Sequence, residues 1–127
     1  AMKLGALLLV GAGGFLGAIT RYVVGTGVSH RWGASWPYGT FLINITGCFA
    51  IAFFLTLVSE RITVSPNWRY FFPTGFVGAY TTFSTFEYET LRLVEDGAWV
   101  RALSYVVSSV IVGFVAVLLA AWLARRL

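Results

Sequence analysis

The charged residues of this 127-residue chain are placed so that four long stretches carry none. Residues 4–20, 32–59, 70–86 and 102–124 are free of Lys, Arg, Asp and Glu, and the shortest of these gaps is 17 residues. A helix crossing the hydrocarbon core needs about 20 mostly apolar residues. The gaps therefore predict four transmembrane helices, near 4–28, 39–59, 68–93 and 100–124. Composition agrees. Charged residues make up 11% of the chain and hydrophobic ones 58%, whereas soluble domains are roughly a quarter charged. The expected fold class is an all-α membrane protein, a single four-helix transmembrane domain over residues 1–127. Its expected place is a cell inner membrane or plasma membrane, crossed several times. The connections are too short for a soluble catalytic domain.

The chain opens Ala1-Met2-Lys3 and has no other methionine, so Ala1 is expected to stand ahead of the natural start. The first apolar run is read as a retained span, because Gly17-Ala18-Ile19 is a poor cleavage site. Net charge is +4, but the basic residues are scattered at helix ends, so no nucleic-acid face is expected. The one cysteine, Cys48, reads as a small core residue of the second span. The one histidine, His30, falls in the expected first loop with no ligating cluster around it. No GxSxG, HExxH or P-loop pattern is present, so an enzyme is not expected.

Orientation in a membrane follows the Lys/Arg bias between its two faces. With four spans, one face holds Lys3, Arg61, Arg69, Arg125 and Arg126. The other holds Arg21, Arg31, Arg92 and Arg101. So weak a bias predicts insertion in both orientations and pairing as an antiparallel homodimer. A bundle this small encloses little, and transport along a subunit interface also favours an oligomer.

Polar residues inside the spans are few and patterned. Gly13 and Gly17 form a GxxxG pair, repeated by Gly14 and Ala18, which suits close helix packing. Arg21 lies within reach of water near the end of the first span; it either anchors the helix or lends positive potential to an anion vestibule. On the second span Thr40, Asn44 and Gly47 share a face. Asn44 is either an interhelical clamp or an amide donor to a passing anion. The third span is abnormal. Pro73, Gly75 and Gly78 crowd its first half, and Thr81, Thr82, Ser84 and Thr85 its second. A break mid-membrane is expected there, with bare carbonyls that protein or a wet path must cover. A plain Ser/Thr-rich kink is the simpler alternative. Phe83 and Phe86 share one face of the helix after the break, and their ring edges are weakly electropositive. Glu87 and Glu89 follow. On the fourth span Tyr105, Ser109 and Val112 share a face, with Ser108 beside them. No acid sits mid-span, which argues against proton-coupled antiport.

These features resemble one family. The run from Gly75 to Phe86, GFVGAYTTFSTF, is similar to the signature of the small Fluc/CrcB fluoride channels. The likeness extends over essentially the whole chain: four spans, Arg21, the run from Gly39 and Thr40 to Asn44, and Tyr105 with Ser109. Where the family commonly has two adjacent glycines, this chain has Gly78 and Ala79. The resemblance implies an antiparallel dual-topology homodimer with two fluoride pores. It implies a structural Na⁺ at the dimer centre, held by the backbone carbonyls of Gly78 and Thr81. It also implies that Phe83 and Phe86 line the pores and that Asn44 donates to fluoride. Thr40, Ser84, Thr85, Glu89, Tyr105 and Ser109 match polar positions along the path, and Arg21 matches the vestibule. Such a channel lets fluoride leave the microbial cytoplasm passively, relieving its toxicity. The bilayer, fluoride and a second copy are then its partners. Two rival readings are a four-span dual-topology drug or cation exporter, which would want an acid in the first span, and a membrane scaffold that transports nothing.

Overall fold

The computed structural model describes residues 2–127; Ala1, and the expectation about it, lie outside the described residues. All regular elements among them are helical: α1 (Leu4–Trp32), α2 (Tyr38–Glu60), α3 (Asn67–Arg69), a π-helical segment (Tyr70–Val77), α4 (Gly78–Tyr80), α5 (Phe83–Glu95) and α6 (Trp99–Ala124). Helices α1, α2 and α6 are each long and apolar enough to cross a membrane. The elements from Asn67 to Glu95 form a fourth, bent rod. The protein is a multi-pass membrane protein.

Helix α1 runs past its expected end. His30 and Arg31 lie in its last turn, not in a loop. Nothing from Val28 to Trp32 breaks a helix, so it continues to Gly33. There φ is 83°, and the Gly33 N–H donates back to the Ser29 carbonyl. A left-handed glycine just past the end is a common helix stop.

The expected break is present, at the C-terminal end of its expected stretch and just ahead of Phe83. Pro73, Gly75 and Gly78 all sit in helical backbone. Pro73 lacks an N–H, and its ring crowds the carbonyl four residues back. The wider π turn absorbs both defects. Downstream of it, the Gly78 N–H reaches the carbonyls of both Gly75 and Pro73. Gly75 permits close approach rather than a break. A Cβ on Gly75 would lie 2.7 Å from the Val10 carbonyl oxygen and 3.1 Å from Gly13 Cα. The chain leaves the helix only at Thr81 (φ −83°, ψ 157°) and Thr82 (φ −151°, ψ 121°).

The GxxxG face of α1 is spent on this rod. A Cβ on Gly13 would fall 2.0 Å from the Phe71 carbonyl oxygen, and one on Gly17 would fall 2.2 Å from that of Phe76. Backbone therefore meets backbone along α1 and the π-helical segment. Helix α2 also crosses α1 closely, with a Cβ on Gly39 falling 2.9 Å from the Gly25 carbonyl oxygen. Phe86 and Leu93 of α5 join Ala102 and Tyr105 of α6 in the buried cluster behind the break. Leu8, Phe15 and Ile19 of α1 and Val110, Phe114 and Leu118 of α6 are exposed, as expected where the solvent is lipid. Exposed Trp32, Trp68, Trp99 and Trp122 stand near rod ends, where membrane interfaces favour them. At the far end Arg125 grips the Glu60 carboxylate through Nε and Nη2 at 3.1–3.2 Å. This pair is exposed, so it ties α2 to α6 with at most about 1 kcal/mol.

Candidate functional site

Asn44, Arg21 and the threonines Thr81, Thr82 and Thr85 converge on the break. A helix end leaves its last carbonyls without N–H donors, and a helix start leaves its first N–H groups without acceptors. Here α4 ends and α5 starts two residues apart, half-buried within a membrane-spanning bundle, so both sets need partners. The Thr81 N–H and hydroxyl both donate to the Val77 carbonyl, at 3.0 and 2.9 Å. The Thr82 hydroxyl caps α5, accepting from the Thr85 N–H at 3.3 Å and donating to the Thr85 hydroxyl at 3.0 Å. Threonine suits both tasks, because its oxygen competes locally with helical hydrogen bonding.

Asn44 holds the break from across the bundle. Its Nδ2 donates to the Thr82 carbonyl at 3.0 Å, and its Oδ1 accepts the Thr82 N–H at 2.9 Å. The clamp is thus bidentate on one peptide residue. It also diverts the N–H that a continuing helix would give to the Gly78 carbonyl. One turn along the same face of α2, Gly47 makes room for the break: a Cβ there would lie 2.1 Å from Thr81 Cγ2. A turn before Asn44, Thr40 is buried. The Thr40, Asn44 and Gly47 face read from the sequence is the face that receives the break.

Arg21 serves the other side. Its Nε donates to the Ala79 carbonyl at 3.1 Å, covering another orphan of the α4 end. The same residue lines an open polar cleft of about 540 Å³ together with Ser29, His30, Thr40, Thr82, Thr85 and Glu89. Arg21 thus both holds the end of α4 and lines the polar cleft. Glu89 is fixed across this wall, accepting from the Tyr105 hydroxyl at 2.8 Å.

A second, more apolar cleft of about 340 Å³ lies on the far side of Thr82, which lines both. Asn44, Gly78, Thr81, Phe83, Phe86 and Ser109 line it, with Cys48 at its edge. The Phe83 and Phe86 rings are 5.9 Å apart and tilted by 51°. Phe86 is buried, while Phe83 is 74% exposed in the single chain. The Ser109 hydroxyl is buried with no hydrogen-bond partner. Cys48 is a free, half-buried thiol at a cleft wall, rather than a sealed core residue.

The structure thus sorts the residues read from the sequence. Arg21, Thr40, Thr85 and Glu89 share the polar cleft; Asn44, Gly78, Thr81, Phe83, Phe86 and Ser109 share the apolar one. Tyr105 lies behind the wall, fully buried, and its hydroxyl reaches the polar-cleft residues Glu89 and Thr40. Ser84 is exposed and lines neither. Thr82 is not among the site residues that the sequence singles out, although a Thr just ahead of an amphipathic run is a recognisable cap. Among the described residues, no group of three His, Cys, Asp or Glu side chains could hold a metal.

The family model described as CrcB-like protein, Camphor Resistance (CrcB), matches residues 8–121. The chain belongs to this family. A relative from Acidobacterium capsulatum is 50% identical over 120 residues, covering 94% of this chain and 96% of the relative. One from Chloroflexus aurantiacus is 44% identical over 119 residues, covering 94% of each chain. One from Koribacter versatilis is 40% identical over 126 residues, covering 99% of this chain and all of its own. Each carries the name fluoride-specific ion channel FluC. These CrcB-like relatives are named as channels, not enzymes, which agrees with the lack of enzyme motifs here.

Proposed function

We propose that the protein is a fluoride-selective channel of the plasma membrane, passing F⁻ passively out of a microbial cell and relieving fluoride toxicity. Relatives named as fluoride channels support the reading. The observation that carries it is the buried, unpartnered Ser109 hydroxyl in a cleft that also holds Asn44, Phe83 and Phe86. Fluoride is small and strongly hydrated, so its main barrier is desolvation. A path must replace its water in steps by N–H, O–H and aromatic-edge donors, without a full charge that would trap it. Ser109 offers an O–H. Asn44 uses one N–H on Thr82 and keeps its second for the anion. Phe83 and Phe86 offer ring edges. Thr82, Thr85 and Thr40 continue the donors into the polar cleft, where Arg21 supplies attraction at the mouth.

The working unit is an antiparallel dual-topology homodimer with two pores. Support comes from the five-to-four Lys/Arg balance and from Phe83, a path residue that one chain alone leaves exposed. A structural Na⁺ belongs at the dimer centre. The chain offers a suitable donor set. The Thr82 N–H goes to Asn44, so the Gly78 carbonyl loses its helical donor. The Thr85 N–H goes to the Thr82 hydroxyl, so the Thr81 carbonyl gains none. Two bare carbonyls per subunit, four per dimer, are the hard oxygen ligands such a cation prefers. Bound there, it would supply a fixed positive charge between the two anion paths.

The topology can be tested by adding two or three lysines to one face. A variant locked in one orientation is expected to lose most fluoride efflux when expressed alone and to regain it with the oppositely locked form. Full activity of one locked form would rule out the antiparallel dimer.

A further inference from the structure

We propose that Trp36, in the loop between α1 and α2, is a positioning residue for the pore wall, setting the Tyr105 ring and through it Glu89 and Phe86. The inference rests on the channel reading above and adds a residue that neither cleft's chemistry requires by itself. Gly33, Ala34 and Ser35 of this loop are exposed, whereas Trp36 is drawn inward onto the cluster of Phe86, Leu93, Ala102 and Tyr105. Its ring is packed by Tyr38 at 5.0 Å, Phe41 at 5.1 Å and Tyr105 at 5.2 Å. The Trp36 Nε1–H donates to the Ser104 hydroxyl at 3.1 Å, which fixes the indole along α6.

Tyr105 connects the loop to the wall. It is wholly buried and lies edge-on between two rings, with Trp36 at 77° and Phe86 at 63°. Its hydroxyl holds Glu89 at 2.8 Å. A tyrosine ring has few ways to move, and here one neighbour belongs to the apolar cleft and the other to a loop. The indole therefore decides whether the Tyr105 hydroxyl points at Glu89 and whether the Phe86 ring keeps its tilt. A small cavity of about 150 Å³ between the indole and Glu89, lined also by Arg92 and Asp96, leaves room for the carboxylate to swing away if the hydroxyl lets go. Loop and pore wall are thus mechanically one unit, although Trp36 lines neither of the two clefts.

The test is a double-mutant cycle on fluoride efflux from proteoliposomes, using Trp36→Ala, Tyr105→Phe and the double variant, with Trp36→Phe as the conservative rescue. Trp36→Ala is expected to slow efflux by about two- to tenfold, the range one aromatic pair supplies. Trp36→Phe keeps the ring edge and should restore most of the rate. In the Tyr105→Phe background, where no hydroxyl remains to be aimed, Trp36→Ala should cost little further. Non-additivity in efflux with no matching coupling in the unfolding temperatures of the same variants is what a merely structural role would not produce. Trp36→Leu, which keeps apolar bulk, runs the same cycle if the alanine variant does not fold. Additive losses, or a normal rate for Trp36→Ala, overturn the role of Trp36 while leaving the channel reading intact. A wild-type protein that passes no fluoride overturns the channel reading, and this inference with it.

Discussion

Asn44→Asp is expected to lower fluoride flux by about ten- to a hundredfold or more and to destabilise the folded protein. The substitution is nearly isosteric, so packing is not the cause. At present Nδ2 donates to the Thr82 carbonyl while Oδ1 accepts the Thr82 N–H. An aspartate keeps the acceptor and loses the donor. One carboxylate oxygen would then face the Thr82 carbonyl oxygen in a half-buried site. A stranded buried acceptor costs about 1–3 kcal/mol, and a negative charge beside an anion path raises the barrier to passage further. The clamp and the donor role fail together in this variant. Asn44→Ala separates them in part, since it removes both bonds without adding charge. Efflux kinetics, read beside thermal unfolding in detergent, measure both losses. Normal flux and normal stability for Asn44→Asp would mean that the clamp matters neither to the break nor to the path.

The second large effect is steric. Gly13→Ala or Gly17→Ala should prevent α1 from seating on the π-helical segment. The new methyl carbon would stand 2.0 Å from the Phe71 carbonyl oxygen, or 2.2 Å from that of Phe76. These obstacles are backbone atoms, so no side chain can turn aside. Overpacking of this kind costs about 1–3 kcal/mol and sometimes more, a large part of the stability of a small domain. Gly11→Ala is the matched control on the same helix, because its added Cβ would meet nothing within 4 Å. The yield of monodisperse protein and the unfolding temperature should fall for Gly13 and Gly17 and hold for Gly11. Equal behaviour of all three would contradict the close approach.

The contrast between these glycines shows what a sequence does and does not disclose. Hydrophobic gaps bounded by charge gave away an all-helical membrane chain, because bilayer thickness leaves a chain few other choices. The Thr40, Asn44 and Gly47 face was legible for a similar reason, since helical geometry alone puts those residues together. The GxxxG spacing announced a close contact, though not that its partner would be the π-helical segment. The break was legible to within a residue or two, but the part played by the residues before it was not. Pro73, Gly75 and Gly78 have the same local signature whether they interrupt a helix or allow it to pack. The difference lies with Val10 and Gly13, some 60 residues away in the chain, which press on Gly75. The break falls at Thr81 and Thr82, the end of the stretch expected for it, where Asn44 takes the freed peptide groups. The bond from Arg21 to the Ala79 carbonyl and the contact of Trp36 with Tyr105 were hidden for the same reason. Each joins residues remote in the chain whose individual types suggest nothing specific. Ser84, by contrast, looked like its neighbours in composition but falls on the outside of α5.

Above all, fluoride is held to pass through the break passively, beside a cation that stays in place. The sharpest test is the reversal potential of the current carried by purified protein in a planar bilayer, with fluoride, chloride and Na⁺ gradients imposed one at a time. The expected result is a potential that follows the fluoride gradient alone, unmoved by chloride or by Na⁺. A potential that tracks the Na⁺ gradient would show coupled transport, and one that tracks chloride would show an unselective pore; either outcome would refute passive, fluoride-selective conduction.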